Sequence, residues 1–279
     1  MSTAETSKNF WGEQPFQIKA REALPLLVRQ ALMGETIFYS DLAQELSMPN
    51  PRNLNHVLGS VGTTLIELSE KHDFTIPAIQ CVVVNKATEL PGEGVGWFLS
   101  EDDFQKLSSK KKKTLVDTVL AEIYTYSKWL EILELLKLEP PYFPSLPKIS
   151  RVGGGEGEEH KVLKQFVAKN PILFGLPKTC PVGEVEYLLP SGDSVDVMFS
   201  WRGQLVAVEV KSKISAVSDI FRGLFQCVKY QAVSEAILGL QGKPQNVRAV
   251  LAVEGRFPAE LMTTKHMLGI EVVSEIEMS

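Results

Sequence analysis

The chain has few cysteines, no long apolar run and no excess of basic charge. Its 279 residues include three cysteines, Cys81, Cys180 and Cys227, and their spacing matches no metal-ligand pattern. Such cysteine usage is typical of reduced thiols in the cytoplasm. No apolar run is long enough to cross a bilayer, and the polar, acid-bearing stretch from Met1 to Phe10 differs from a secretory signal. We therefore expect a cytoplasmic protein with no membrane partner.

Basic charge is also scarce for a protein that would bind nucleic acid tightly. The chain has 29 Lys and Arg against 34 Asp and Glu, a net charge of −5 at pH 7, and neither half carries a net positive charge. Nucleic-acid binders usually show a basic footprint, so tight non-specific binding is not expected. The run Lys110–Lys113 is a local exception, but such a run is more typical of a solvated helix face.

Prolines and glycines mark a boundary near the middle of the chain. Pro140, Pro141, Pro144 and Pro147 prevent regular helix, and Gly153–Gly155 then allows almost any backbone path. We interpret residues 139–157 as a linker. The preceding segment, residues 101–138, carries apolar residues in steps of three and four, which predicts one long amphipathic helix or two shorter ones. It could pack on the N-terminal domain or form a homodimer interface.

Residues 158–279 have the pattern of an α/β domain with a mixed sheet. The predicted elements, in chain order, are a helix, three strands joined by short turns, a helix, a strand, a helix and a strand: Glu159–Asn170, Val182–Leu189, Ser194–Ser200, Gln204–Lys211, Ser215–Leu238, Val247–Val253, Pro258–His266 and Ile270–Val273.

Charged side chains interrupt two of these apolar strands. In Leu205–Lys211, alternation puts the three valines on one face and Glu209 and Lys211 on the other. Asp196 lies in the preceding strand, and a tight hairpin would bring it close to Glu209. Burying such charges is costly unless they are paired or bound to metal. Spacing alone leaves two interpretations open: a divalent-metal site, or a buried salt bridge of Lys211 with Glu209 or Asp196.

The arrangement resembles the PD-(D/E)XK nuclease superfamily, which has a restriction-endonuclease-like fold. Asp196 would be the acid at the end of one strand, and Glu209-Val210-Lys211 the Glu-x-Lys of the next. The variable proline of the family name is absent, since Ser194-Val195 precede Asp196. Gln226-Cys227-Val228-Lys229-Tyr230 matches the Gln-hydrophobic-x-x-Tyr motif of the RecB-like branch, with both polar residues on one helix face.

The resemblance implies a mechanism for this part of the chain. Asp196, Glu209 and the Val210 carbonyl would bind Mg²⁺ or Mn²⁺, and Lys211 would orient the attacking water or offset charge. Gln226 and Tyr230 would position the DNA or the other site residues. The superfamily also commonly has an acid on its first helix, a role that Glu159 (or Glu158) could take, although a solvated helix-start acid is nearly as typical.

The first 100 residues have the order of a mostly α winged helix-turn-helix domain. The predicted elements are two helices, a turn, a third helix, a strand and an apolar segment after a turn: Gln17–Met33, Asp41–Leu46 capped by Ser40, Ser47–Pro51, a helix starting over Arg52–Leu58, Ile79–Asn85, and Val95–Leu99 after Pro91–Gly94.

This region resembles the winged-helix domain of O6-alkylguanine alkyltransferases and alkyltransferase-like proteins. The likeness is carried by Gly34–Ala43, Met48–Arg52, Ile76-Pro77 and Pro91–Trp97. The family's reactive Pro-Cys-His-Arg is missing, because the chain reads Pro77-Ala78-Ile79-Gln80-Cys81, so alkyl transfer is not expected and Cys81 is interpreted as a buried strand residue.

The second resemblance still implies duplex DNA binding, through the second helix of the motif. The residues expected to contact phosphates or bases are Arg52, Asn53, Asn55 and His56. A winged helix used only for protein contacts remains an alternative.

Together the two halves predict a metal-dependent DNA endonuclease, targeted by its N-terminal domain and suited to restriction, phage defence or DNA repair. The alternatives are a non-catalytic nucleic-acid-binding protein with a degenerate nuclease fold, and an assembly subunit that uses residues 101–138 as its interface.

Overall fold

The computed structural model describes residues 7–72, 74–99, 104–144 and 157–278. The chain divides into two compact units, Met1–Pro144 and Ser145–Ser279. The division falls inside residues 139–157, the predicted linker, of which residues 145–156 lie outside the described residues. No helix in the described part of the chain is long and apolar enough to span a membrane.

Helices dominate the N-terminal unit. In chain order its elements are α1, Pro15–Met33; β1, Ile37–Phe38; α2, Tyr39–Glu45; α3, Leu54–His72; β2, Val83–Val84; α4, Ser109–Thr125; and α5, Trp129–Leu135. Helix α1 ends at Gly34, whose φ of 71° is the left-handed conformation that glycine adopts without strain. The longest pair, α1 and α3, packs around a core that includes Ala20, Leu24 and Val57.

The β pair expected after the third helix takes a different form. The residues predicted as the strand Ile79–Asn85 form a 3₁₀ helix, Ile79–Val82, followed by the two-residue β2, and the apolar segment Val95–Leu99 lies in another 3₁₀ helix. Strand β2 pairs with β1 in parallel, Ile37 opposite Val83, rather than in a hairpin. Cys81 is buried as expected, but in the 3₁₀ helix. These apolar runs are too short to show a hydrophobic periodicity that would distinguish a strand from a buried turn.

The predicted cap at Ser40 is also wrong. Phe38 is the N-cap of α2, and Ser40 lies inside the helix, with its hydroxyl 3.4 Å from an Asp41 oxygen. Asp41 keeps the expected place in the first turn, where an acid interacts favourably with the helix dipole.

The segment predicted to be amphipathic forms two helices that belong to the N-terminal core. The chain turns between α4 and α5, and the Trp129 indole N–H donates to the Ile123 carbonyl at 2.8 Å across the corner. Val116, Ile123 and Ile132 are buried with the residues of α1 and α3. The segment therefore packs on the N-terminal unit, which is the first of the two roles expected for it. The second role, a homodimer interface, stays a prediction. Residues 101–103 of the segment lie outside the described residues.

The C-terminal unit is built on a five-stranded mixed sheet, which confirms the α/β class. Its elements are α6, Glu158–Lys169; β3, Glu184–Leu188; β4, Ser194–Trp201; β5, Gln204–Lys211; α7, Val217–Leu240; β6, Val247–Val253; α8, Met262–Met267; and β7, Glu271–Val273. The strands lie in the order β3-β4-β5-β6-β7. The first two pairings are antiparallel and the last two are parallel.

The two long helices of this unit cover opposite faces of the sheet. Val206, Val208 and Val210 of β5 pack with α6 in one core. Ala207 of the same strand packs with Tyr230 of α7 in another cluster. Because side chains alternate along a strand, the faces of β5 are fixed residue by residue, and Glu209 and Lys211 lie on the α7 side.

Candidate active site

A tight hairpin aligns the two strands that carry the predicted core of the site. Arg202 and Gly203 form its two-residue loop, with φ of 48° and 83°, between the paired residues Trp201 and Gln204. Such a loop follows the twist of the strands and fixes their register. Pairing continues up to Val197 and Val208, so Asp196 and Glu209 come next on neighbouring strands.

Asp196 lies where the regular ladder between β4 and β5 stops. Its Oδ2 accepts a hydrogen bond from the Val210 N–H at 2.8 Å, so the side chain takes the place of a backbone acceptor. The contact with Val210 thus involves the N–H of that residue, while its carbonyl remains a predicted metal ligand.

Glu209 is buried on the side of the sheet that α7 covers, and it contacts two polar side chains there. Its Oε1 is 2.6 Å from the Lys211 Nζ, and its Oε2 accepts from the Tyr230 hydroxyl at 3.0 Å. The Gln226 amide donates to the Tyr230 oxygen at 3.3 Å, and its carbonyl oxygen lies 3.5 Å from Lys211 Nζ. The structure thus brings together Glu209, Lys211, Gln226 and Tyr230.

Gly223 makes the close approach of α7 possible. A Cβ at this position would lie 2.7 Å from Leu251 Cδ1, 3.0 Å from Lys211 Cε and 3.6 Å from Glu209 Cγ. A larger residue would therefore push the helix away from the two charged side chains. The sequence pattern does not single out Gly223, because only its contacts with β5 and β6 give it a role.

The two carboxyl groups have opposite pKa shifts. Burial, and then the negative charge of Asp196, raise the pKa of Glu209, although Lys211 and Tyr230 partly oppose this. Burial also acts to raise the pKa of Asp196, but the nearby His160, the hydrogen bond from the Val210 N–H and the charge of Lys164 bring that pKa below its ordinary value. Asp196 therefore stays ionised, and Glu209 takes up a proton more readily.

Tyr230 acts as a neutral donor in this cluster. Burial and the neighbouring Glu209 carboxylate raise the pKa of Tyr230. Its hydroxyl also lies 2.9 Å from the Ser194 carbonyl, so one oxygen contacts both β4 and β5.

Helix α6 contributes residues that the sequence did not reveal. His160 Nε2 is 3.8 Å from Asp196 Oδ2, and Lys164 Nζ is 3.6 Å from Asp196 Oδ1. These residues are four apart and so share a helix face. Glu159, the predicted acid of this helix, is exposed in the first turn, and Glu158 pairs with Lys161 at 2.9 Å. The signal available in the sequence was a lysine among the apolar positions Leu163 and Val167.

The charged residues of the site fit a hard divalent cation. No cluster of three or more His, Cys, Asp or Glu side chains that could hold a metal ion occurs within the described ranges. Two carboxylates are nonetheless present, and the charge of Asp196 raises the pKa of Glu209, so a cation between them would relieve repulsion. Oxygen ligands suit Mg²⁺ and Mn²⁺, and Mg²⁺ keeps most of its waters, so few protein ligands are needed.

The residues predicted to contact DNA lie on either side of the start of α3. Arg52 and Asn53 lie in a 3₁₀ helix, Pro51–Asn53, and not in the helix predicted to start at Arg52, whereas Asn55 and His56 lie in the first turn of α3. Arg52, Asn53, Asn55 and His56 are all exposed. Arg52 and Asn55 line a cavity of about 520 Å³, and the other residues around it include Tyr39, Gln80 and Phe98. Gln80 is buried, and neither atom of its amide has a hydrogen-bond partner in the described part of the chain. The sequence pattern thus predicted two residues that line this cavity, Arg52 and Asn55, but not the cavity itself.

Comparison with known proteins adds no relative. Models of protein families, curated proteins and solved structures each give no match to this chain.

Proposed function

We propose that this chain is a metal-dependent deoxyribonuclease of the PD-(D/E)XK type, which hydrolyses phosphodiester bonds and is targeted by a winged helix in its N-terminal unit. The observation that carries the proposal is the meeting of Glu209 and Lys211 with Gln226 and Tyr230, next to Asp196 on the neighbouring strand. Five residues from three elements form one polar cluster against the apolar residues of β4 and β5, and buried titratable groups of this kind are concentrated at functional sites.

The topology also supports this proposal. A helix, three antiparallel strands, a crossover helix and a further parallel strand succeed one another in the C-terminal unit. The resemblance implies the same placement, with an acid on one strand, Glu-x-Lys on the next, and helices on both sides.

In the proposed mechanism, Asp196 and Glu209 would hold Mg²⁺ or Mn²⁺, and the Val210 carbonyl would be a further ligand. The metal, when bound, lowers the pKa of a coordinated water and stabilises charge on the scissile phosphate. Lys211 places its side-chain nitrogen at the Glu209 carboxylate, where it can orient the water or offset developing charge. Gln226 and Tyr230 fix the positions of Lys211 and Glu209 through their hydrogen bonds.

The N-terminal unit would bind duplex DNA through the exposed residues Arg52, Asn53, Asn55 and His56. Their side chains can donate to phosphates and base edges. The net charge of −5 over the chain suggests few phosphate contacts and therefore a shallow dependence of binding on salt. A cytoplasmic role in restriction, phage defence or repair fits this division of labour.

One observation favours a second candidate, a non-catalytic nucleic-acid-binding or assembly protein with a degenerate nuclease fold. Lys211 Nζ lies 2.6 Å from Glu209, and Lys164 Nζ lies 3.6 Å from Asp196, so each carboxylate already has a cationic partner. In that case the cluster would be a buried salt-bridge network, and divalent metal would not bind.

The test is cleavage by the full chain of single-stranded, duplex, branched and modified DNA and of RNA, with Mg²⁺, Mn²⁺ or EDTA. Asp196→Ala, Glu209→Ala and Lys211→Ala should each reduce cleavage by roughly three orders of magnitude, and a double variant should be little worse, because the groups act as a unit. Glu184→Ala, an exposed acid on β3, is the matched control. Equal cleavage in EDTA, or full activity in all three variants, would contradict the proposal.

A further inference from the structure

Lys164 is a buried lysine outside the predicted catalytic set. Its side chain is 4 % exposed, yet it lies on the first helix of the unit, among the apolar residues that pack on the sheet. Lysine is almost never fully buried unless it is paired. Its ammonium group lies 2.9 Å from Glu186 Oε1 on β3 and 3.6 Å from Asp196 Oδ1 on β4.

The backbone explains why these two acids come together. The β3–β4 register pairs Val185 with Val197 and Tyr187 with Val195, so Glu186 is the residue opposite Asp196. Glu186 has a φ of 55°, the left-handed region, and the ladder is interrupted at this pair. Like charges directly opposite one another on neighbouring strands destabilise a sheet. Lys164 approaches both carboxylates and offsets this repulsion.

The two oxygens of Asp196 face different partners. Oδ1 faces Lys164, while Oδ2 accepts from the Val210 N–H at 2.8 Å and lies 3.8 Å from His160 Nε2. The carboxylate is therefore held at both ends, and its orientation relative to β5 depends on Lys164 as well as on the backbone.

We propose that Lys164 is a positioning residue of the metal site: its ammonium group offsets Glu186 and holds the Asp196 carboxylate in place on the strand next to Glu209. This inference rests on the proposed nuclease function. Lys164 acts through Asp196 and is too buried to contact DNA. Its loss should therefore weaken metal binding and lower kcat, and it should leave the KM for DNA unchanged.

The experiment is a calorimetric titration of the full chain with Mn²⁺ alone, without DNA. Lys164→Gln should weaken Mn²⁺ binding by about tenfold, the effect typical of residues that orient metal ligands. Lys164→Arg keeps the charge, so its Mn²⁺ affinity should stay within about threefold of wild type. This loss is smaller than the one expected when the charged group is removed. Lys161→Gln, one turn away on the exposed face of α6, is the matched control and should change affinity by less than about twofold.

A purely structural role would lower the melting temperature of Lys164→Gln and leave the Mn²⁺ affinity of the folded protein unchanged. That result, or equal losses in Lys164→Arg and Lys164→Gln, would overturn the inference alone. Failure of the wild-type protein to bind Mn²⁺ would overturn the proposed function and this inference with it.

A second variant covers the case in which Lys164→Gln does not fold. Glu186→Gln removes the exposed carboxylate that competes for Lys164, so Asp196 becomes the only charged partner of Lys164 among these acids. Mn²⁺ affinity should therefore stay the same or increase. A tenfold loss in Glu186→Gln would contradict the positioning role.

Discussion

Tyr230→Phe isolates the contribution of one hydroxyl group to the candidate site. The ring is 2 % exposed and packs against Val195, Met198 and Ala207, contacts that phenylalanine would keep. The hydroxyl lies 3.0 Å from Glu209 Oε2 and 2.9 Å from the Ser194 carbonyl. The change therefore removes a hydrogen-bonding group and leaves the volume of the core almost unaltered.

The expected loss of stability comes from the hydrogen-bond acceptors that lose the tyrosine hydroxyl. A hydrogen bond to a charged group contributes about 1.5–3 kcal/mol, and a buried acceptor without a donor costs a similar amount, so we expect the free energy of unfolding to fall by about 2 kcal/mol. For a unit of this size, that loss corresponds to a decrease in Tm of roughly 6 °C. Because the tyrosine hydrogen bond lowers the pKa of Glu209, its loss should raise that pKa further and weaken metal binding at neutral pH.

The assay is scanning calorimetry of the full chain in EDTA, followed by Mn²⁺ titration. Tyr187→Phe is the matched control, because that ring packs on the same cluster and its hydroxyl makes no hydrogen bond within the described ranges. The control should stay within about 0.5 kcal/mol of wild type. If Tyr230→Phe had the same Tm as the control variant and bound Mn²⁺ as tightly as wild type, the hydrogen bond to Glu209 would have no energetic role. That result would refute the prediction.

Two further predictions concern stability. In EDTA, the raised pKa of Glu209 implies a stability contribution that is complete below the ordinary value of 4.5 and is lost as pH rises through the raised pKa. Glu209→Gln lacks this titration. Above pH 4.5 its free energy of unfolding should therefore rise relative to that of wild type, by at most about 1.4 kcal/mol per pH unit. A difference between the two proteins that does not change with pH in denaturation experiments would contradict this. Separately, Gly62→Ala should destabilise the N-terminal unit by about 2 kcal/mol, because the added methyl would overlap the Gln80 amide and the Phe98 ring. Gly157→Ala is the control, since a methyl there meets no atom of the described residues within 4 Å, and equal urea midpoints for the two variants would refute the overlap.

Much of the C-terminal unit could be predicted from the sequence. Strands β5 and β6 have the predicted bounds, because their apolar residues alternate or run continuously between clear turns. Gln226 and Tyr230 share a helix face, as their spacing of four residues requires. The N-terminal β segments could not be predicted in the same way, since β1 and β2 each contain two residues and depend on pairing with each other.

What the sequence by itself determined was the set of groups on each element. Alternation along β5 placed Glu209 and Lys211 on one face, and the Arg202-Gly203 turn set Asp196 near Glu209. Only the tertiary structure decided which distant groups surround them. His160 and Lys164 reach Asp196 because α6 packs on one face of the sheet, and Gly223 lets α7 approach on the other. Such contacts join residues far apart in the chain, and no local period encodes them, because they form only when the helices dock.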